Sequence, residues 1–425
     1  MNNLIELGYG KEKLKFAFDA ERFTVLAKEN EHENALSDAE INALLDACVD
    51  SDVLENIVEP GDTVLIVVPD ATRAAASGQI VNLLVRRLIA NGVMPFDIRI
   101  IFATGIHRQT TPDEKIELLT QFIVQRVKTL DHNPRDLAQL INLGTTARGI
   151  PIELNRALVE HDKVILVGGV SFHYFAGFGG GRKLICPGLA SSRTANETHK
   201  LSFDFEKKRR RAGVEIGVLH GNPVHEEFLE IARKINPAFA VNTIVNASGN
   251  AAQIFAGHWL TSHEKAAAFY LQTHSIKIAE KRPLVIVSAG GAPFDLNLIQ
   301  AHKALEMAAH ACTDGGTIIW LAECADGLGR NDFLNWFAWE NSEQLAENLA
   351  RKFQVNGQTA WSLLEKAERF KIHLISSLPD EQTRQMRLNP VRNLNQALTQ
   401  IAENTKGYIL PFGAKFYPQL AENSS

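Results

Sequence analysis

Short apolar runs recur along most of this chain, at residues 64–68, 98–103, 164–167, 284–287, 317–321, 373–376 and 408–411. Each has the length of a strand. The stretch after the first run, residues 80–90, carries apolar side chains at helical spacing and stops at Gly92, a residue free to take the left-handed conformation that ends a helix. Strand, helix and strand in succession make a βαβ unit, and its repetition predicts an α/β fold of mixed or parallel sheets flanked by helices.

The chain has 425 residues, more than the roughly 250–300 at which one hydrophobic core stops growing. Two domains are therefore expected. The polar stretch 274–281, ahead of Pro283 and a fresh strand, places the division. Residues 1–274 are read as an N-terminal domain and 275–425 as a C-terminal α/β domain that closes over an interdomain active-site cleft. The last run, with the final ~15 residues, is a candidate to return to the first domain.

Lysine and arginine total 44 against 49 aspartate and glutamate, a net charge of -5. The basic residues are scattered apart from Lys207, Lys208, Arg209, Arg210 and Arg211. This balance argues against nucleic acid and for small molecules as partners. The basic run itself reads as a solvated helix face, with an anion site or a subunit contact as alternatives. Cys48, Cys186, Cys312 and Cys324 lie far apart without metal-binding spacing, which fits a reducing compartment. The first ten residues include Glu6 and lack the basic flank and apolar core of a secretory signal. No apolar run reaches the ~18 residues needed to span a bilayer. A cytoplasmic protein without membrane contact is expected, and its oligomeric state is left open.

Ligands of open α/β sheets bind beyond the carboxyl ends of strands. That directs attention to residues 70–73, 104–108, 171–188 and 288–303. The densest segment, Ser171 to Lys200, reads SFHYFAGFGGGRKLICPGLASSRTANETHK. Gly177, Gly179, Gly180 and Gly181 let backbone N–H groups approach a ligand, and Arg182 and Lys183 add positive charge, so an anion suits it. It is not a P-loop, because Arg182, Lys183 and Leu184 follow Gly181 where Gly-Lys-Ser/Thr is required. It is a poor dinucleotide fingerprint too, since residues 173–176 separate strand from glycines.

The bland alternative is a tight turn decorated with surface cations. His173 before the glycines and His199 after them weigh against it, because imidazole is both the commonest metal ligand and the commonest general base. Taken singly, other candidates have ordinary readings. Asp70 and Arg73 could form a strand-end turn with a local ion pair, and His107 could cap a helix. Gln300 and Lys303 could be the solvated face of a helix over 297–311. His220 and His225 could suggest a metal, although a loop capped by Asn222 fits their spacing better. Phe172, Tyr174, Phe175 and Phe178 suit core and pocket equally.

Taken together, these segments resemble the lactate racemase family. The string YFAGFGGGRKLICPGLAS, flanked by His173 and His199, is similar to that family's signature. Asp70-Ala71-Thr72-Arg73, Gly105-Ile106-His107-Arg108, Asn222-Pro223-Val224-His225 and Gln300-Ala301-His302-Lys303 are similar to its other motifs, in the same order. Coverage runs from Tyr9-Gly10-Lys11 to the final strand.

The resemblance implies a racemase or epimerase of small 2-hydroxy acids that uses a nickel pincer nucleotide. This is pyridinium-3-thioamide-5-thiocarboxylic acid mononucleotide, whose two sulfur-bearing arms and a ring carbon clamp one nickel ion. Lys183 matches the lysine that holds the cofactor through a thioamide, and His199 matches the protein ligand to nickel. His107 and His173 match the paired catalytic histidines. Asp70, Thr72 and Arg73 match the motif lining cofactor and substrate, and Gly180 and Gly181 belong to the cofactor loop. Gln300 and Lys303 match substrate-binding residues brought by the second domain. Enzymes that make the cofactor are implied as partners.

The residue types suit that chemistry. The C–H bond beside a carboxylate is a poor acid, so inversion by proton abstraction is difficult and hydride transfer avoids the carbanion. One histidine takes the hydroxyl proton, and the planar 2-keto acid presents either face for hydride return. Two enantiomers call for two bases. Arg73, by a bidentate fork, and Lys303, as a point charge, are candidates to hold the substrate carboxylate. Ile299 stands where lactate-converting relatives carry a tyrosine, and Trp336, Trp339 and Trp361 compete for the role of a closing tryptophan. Lactate, malate, longer aliphatic or aromatic hydroxy acids and sugar acids are therefore all open. Two rival classes are a nicotinamide-type hydroxy acid oxidoreductase, which would release its product oxidised, and a nonenzymatic nickel or nucleotide binder, which would turn nothing over.

Overall fold

A computed structural model describes residues 2–28 and 34–421. Its contacts divide the chain into two units, Asn30–Phe203 with Arg210–Thr273, and Met1–Glu29 with Asp204–Arg209 and His274–Ser425. The opening strands β1 (Asn2–Tyr9), β2 (Glu12–Asp19) and β3 (Phe23–Val25) thus fold with the C-terminal segment and not with the residues that follow them.

The larger unit is built on β4 (Val64–Pro69), β5 (Ile98–Ala103), β6 (Lys128–Asp131), β7 (Lys163–Gly169), β8 (Phe239–Val245) and β9 (Ala251–Gly257). They stand in the order β9-β8-β7-β4-β5-β6. All are parallel except β9, which runs antiparallel to β8. The chain enters at β4, winds outward to β6, returns to β7 and winds the other way, so winding reverses between β4 and β7. In such doubly wound sheets the two loops leaving the carboxyl ends at the reversal diverge and open a crevice.

β4 is buried along its whole length because both faces of the sheet are covered. Val64, Ile66 and Val68 enter one core with Ile80, Val81, Leu84 and Leu88 of α1 (Ser77–Ala90). Leu65 enters the opposite core with Ile185, Leu189 and Phe228. As the spacing predicts, α1 ends just before Gly92, whose φ is 94°. Three further helices matter for the site: α2 (Ser192–Lys200), α3 (Pro223–Ile235) and α4 (Thr261–His274).

The other unit holds β10 (Arg282–Ser288), β11 (Cys312–Leu321), β12 (Lys371–Ile375), β13 (Asn389–Pro390) and β14 (Gly407–Leu410). The order is β13-β12-β11-β10-β14-β3, all parallel. The last strand, β14, therefore lies inside this sheet, between β10 and β3.

The basic run is not the helix face expected of it. Arg209 and Arg210 form a short strand paired with residues 203–204, and Lys208 turns the chain with φ 51°. Lys208 Nζ binds Glu343 and Glu347, each at 2.7 Å. Charge alone carries no periodicity, so the run could not declare its conformation. Among the described residues no helix is long and apolar enough to cross a membrane.

Helices α5 (Leu298–Ala311) and α6 (Val355–Arg369) are joined inside the core by Lys366 Nζ and Glu306 Oε1 at 2.7 Å, both nearly inaccessible. A buried pair broken on one side leaves an uncompensated charge. Glu306→Ala is expected to lose about 3–5 kcal/mol of unfolding free energy in a urea titration, and a loss under about 1 kcal/mol would mean that the ammonium is not confined as described.

Candidate active site

Asp70 follows β4 directly, at the winding reversal. Its Oδ1 accepts from the Thr72 backbone N–H at 3.0 Å and from the Thr72 hydroxyl at 2.6 Å. Its Oδ2 meets Nδ1 of His107, in the loop after β5, at 2.7 Å. The sequence offered Arg73 as the ion-pair partner of Asp70, but the close contact belongs to His107, which caps no helix. A carboxylate can only accept, so Nδ1 carries a proton, and any lone pair of the His107 ring is on Nε2. Burial alone would raise the pKa of Asp70, but the hydrogen bond and charge of His107, then Thr72 and the charge of Arg73, hold it below the ordinary range. The carboxylate is 8% exposed and the imidazole 42%, so a hidden anion supports an accessible base. Arg73 is exposed; its backbone N–H closes a turn on the Asp70 carbonyl at 3.1 Å, and its side chain makes no hydrogen bond or ion pair among the described residues.

A second cluster gathers Lys183, His173 and His199. Lys183 Nζ lies 3.2 Å from His173 Nε2, and His173 Nδ1 is within 3.3 Å of the Ala176 backbone nitrogen. Lys183 Nζ also stands 5.2 Å from the ring centres of both Phe175 and Phe228. The imidazole of His199 packs on the same two rings, at 4.9 and 5.9 Å. His199 is in the last turn of α2, whose start is fixed by Ser191 accepting from Thr194 N–H. Its Nδ1 donates to the Ala195 carbonyl one turn back, at 2.6 Å, leaving the lone pair on Nε2. Burial, then the nearby charge of Lys183, pushes His199 down to about 3. It is neutral at physiological pH, as a metal-ligating imidazole must be. Burial pushes the Cys186 thiol up to about 12, so no thiolate competes there.

The glycine segment lies at this junction. Gly180 and Gly181 have φ of 72° and 51°, open to glycine without strain. A Cβ on Gly180 would stand 2.8 Å from the Gly169 carbonyl, and one on Gly181 would stand 2.6 Å from the His263 ring. A Cβ on Gly169 would collide with the carbonyl of Ala74. Gly105 N–H donates to the Gly188 carbonyl at 2.8 Å, which ties the loop carrying His107 to the segment after Lys183.

Gln300 and Lys303 belong to the other unit. They start α5, whose cap Asn297 accepts from Gln300 N–H at 3.0 Å, and Lys303 Nζ donates to Gln300 Oε1 at 2.8 Å. His220 and His225 do not make a metal site; among the described residues no group of three or more His, Cys, Asp or Glu is placed to hold an ion. His225 is in the first turn of α3, its N–H received by Asn222 Oδ1. Asn222 also donates to the Phe175 and Val218 carbonyls at 3.0 and 3.1 Å, so it pins the aromatic wall to the helix start. The sequence offered Asn222 only as a cap. Phe228 and His263 come from remote helices and had no local signal.

An α/β site that gathers a buried neutral imidazole, an amine and an imidazole bonded to a buried carboxylate is the class so defined. The lactate racemase N-terminal domain family matches residues 9–211 and the lactate racemase C-terminal domain family matches residues 278–409. The chain belongs to the lactate racemase family. It is 31% identical over 409 residues to the lactate racemase of Thermoanaerobacterium thermosaccharolyticum, covering 94% of each chain. It is 31% identical over 333 residues to that of Lactiplantibacillus plantarum, covering 77% of each. The structure of the Thermoanaerobacterium lactate racemase apoprotein superposes with a TM-score of 0.89 at 28% identity, covering 98% of this chain and 100% of that one. A Thermotoga maritima protein of 19% identity shares the fold, with a TM-score of 0.68 over 91% of this chain and 99% of its own. The chain is accordingly an isomerase of the racemase class, which sets aside a nonenzymatic binder.

Because Asp70 has a depressed folded pKa, its ionised form contributes stability above the unfolded value, and that contribution is lost as pH falls through the folded pKa. The stability gap between the wild type and Asp70→Asn should be constant from about pH 7 to pH 5 and narrow below about pH 4. A gap still at full size at about pH 2 in denaturant titrations would show that the carboxylate owes nothing to its charge.

Proposed function

We propose that this protein is a cytoplasmic enzyme that interconverts the enantiomers of a small 2-hydroxy acid, with lactate, the substrate named for its relatives, as the first candidate. The reading includes a nickel pincer nucleotide tethered to Lys183 and supplied by separate biosynthetic enzymes. The observation that carries it is the meeting of Lys183, His173 and His199 around Phe175 and Phe228. One neutral imidazole would leave most of the coordination of a nickel ion to the organic group in this reading.

The residues present fit such a group. Lys183 would hold it covalently, His199 Nε2 would ligate the metal, and the left-handed turn at Gly180 and Gly181 would receive a phosphate. When bound, the group supplies reversible hydride acceptance. Everything else falls to this chain. Asp70 fixes the His107 ring with Nε2 as the acceptor, ready for the hydroxyl proton of the substrate, and steadies the imidazolium that results. His173 is the second base, facing the other enantiomer. A Lys183 nitrogen held in a thioamide would no longer be basic and would not compete as a cation for His173 Nε2, 3.2 Å away. Exposed Arg73 would receive the substrate carboxylate as a bidentate fork, and Gln300 and Lys303 are proposed as further substrate-binding residues.

Cofactor-loaded protein given one enantiomer of lactate should drive it toward an equal mixture, read by chiral chromatography. Stoichiometric 2-keto acid without the opposite enantiomer would favour an oxidoreductase instead. His107→Gln and His173→Gln should each lower turnover by about 10²–10⁴ with cofactor retained, and unchanged rates in both would refute the proton-transfer roles. Lys183→Ala should show no cofactor adduct by intact mass; a persisting adduct would refute the tether.

A further inference from the structure

Arg182 takes no part in the chemistry above, and its surroundings are costly for a cation. It is 1% exposed, among the largest fully enclosed side chains, and no carboxylate pairs with it among the described residues. Nη2 donates to the Ala176 carbonyl at 2.8 Å. Nη1 stands 3.0 Å from His263 Nε2, which itself stands 2.8 Å from the Gly179 carbonyl. One imidazole nitrogen cannot donate to a carbonyl and accept from a guanidinium at once, so only one of those two contacts is a hydrogen bond. Nε of Arg182 has no acceptor among the described residues.

The neighbouring imidazoles bring no negative charge. Burial keeps His263 well below its ordinary pKa and His225 near 3, and burial also pulls the guanidinium itself down to about 9. A buried cation without an anion destabilises the fold that holds it. Such a cost persists where the charge serves a ligand. The location fits, because Ala176 and Gly179, bonded to Arg182 and His263 respectively, frame the glycine turn, and Gly181 lies directly against the His263 ring. The guanidinium therefore sits immediately beneath the backbone of that turn.

We propose that Arg182 is a positioning residue that holds a fixed positive charge beneath the glycine loop for the phosphate dianion of a pyridine mononucleotide, acting through its field without contact and at the expense of apoprotein stability. The inference rests on the cofactor reading above. Two unit charges about 8 Å apart at an effective dielectric near 20 interact strongly enough to change affinity by at least ~10-fold.

The test uses full-length apoprotein, wild type, Arg182→Met and Arg182→Lys. Calorimetric affinities are measured for nicotinic acid mononucleotide and for its riboside, which lacks the phosphate, and thermal midpoints are recorded without ligand. The preference of the wild type for the nucleotide over the riboside should fall at least ~10-fold in Arg182→Met and survive largely intact in Arg182→Lys. The Met variant should melt at or above the wild-type midpoint. An unchanged preference in the Met variant overturns the proposal, as does equal weakening of both ligands. A Met variant that does not fold overturns it too, because the charge would then serve the fold itself. A wild type with no preference for the nucleotide sinks the phosphate reading together with this inference, whereas a wild-type preference that survives in the Met variant sinks this inference alone.

Discussion

The site depends on a backbone contact that leaves no room for a side chain. β4 and β7 are parallel neighbours in register, Val67 beside Leu166, so the chain leaves both at the same edge of the sheet. There Gly169 lies against the Ala74 carbonyl and Gly180 against the Gly169 carbonyl, too close in each case for a Cβ. The turn that carries Asp70 and the loop that carries Lys183 are therefore stacked through main-chain atoms. Side-chain chemistry on one can address a ligand held by the other, and any residue larger than glycine at 169 would part them.

Burial then sorts the ionisable groups by the partners each finds. Asp70 stays ionised because His107 and Thr72 outweigh its desolvation. His199 finds only a carbonyl and a neighbouring ammonium, so desolvation prevails and it stays neutral. Cys186, enclosed to the same degree, keeps its proton. A buried anion beside an accessible imidazole, and a buried imidazole kept neutral, thus come from one physical effect with different local compensation.

Much of the architecture was written in the apolar runs. All seven are strands, and their edges fall within a few residues of those read from sequence, because fully buried parallel strands are continuously apolar. β8 went unread since Asn242 and Thr243 interrupt it. Inside the fold these two are satisfied by the Ser262 hydroxyl and the Ala75 carbonyl, at 2.9 Å each, so their polarity costs little. β6 is a four-residue edge strand with no apolar pattern. At the site, residue types were legible through the family resemblance, but pairings were not. Asp70 and His107 are 37 positions apart, and only the adjacency of β4 and β5 brings them together. Phe228 and His263 reach the cluster from α3 and α4, which no local pattern connects to the glycine loop.

The two histidines are held differently, and the difference bears on inversion. His107 carries its proton on Nδ1, facing Asp70, so its Nε2 is an acceptor. His173 meets donors on both sides, with Nδ1 3.5 and 3.3 Å from the backbone nitrogens of Phe175 and Ala176 and Nε2 3.2 Å from Lys183 Nζ, so these contacts do not fix one nitrogen as the proton carrier. His107 is thus set in one tautomer by a carboxylate, whereas the contacts of His173 leave its tautomer unset. A change of tautomer at His173 disturbs contacts of 3.2 Å and longer, a smaller cost than breaking the 2.7 Å bond at His107. On the roles proposed above, any exchange between proton donor and acceptor would therefore fall on His173, the more loosely held ring, while Asp70 would keep His107 in one orientation.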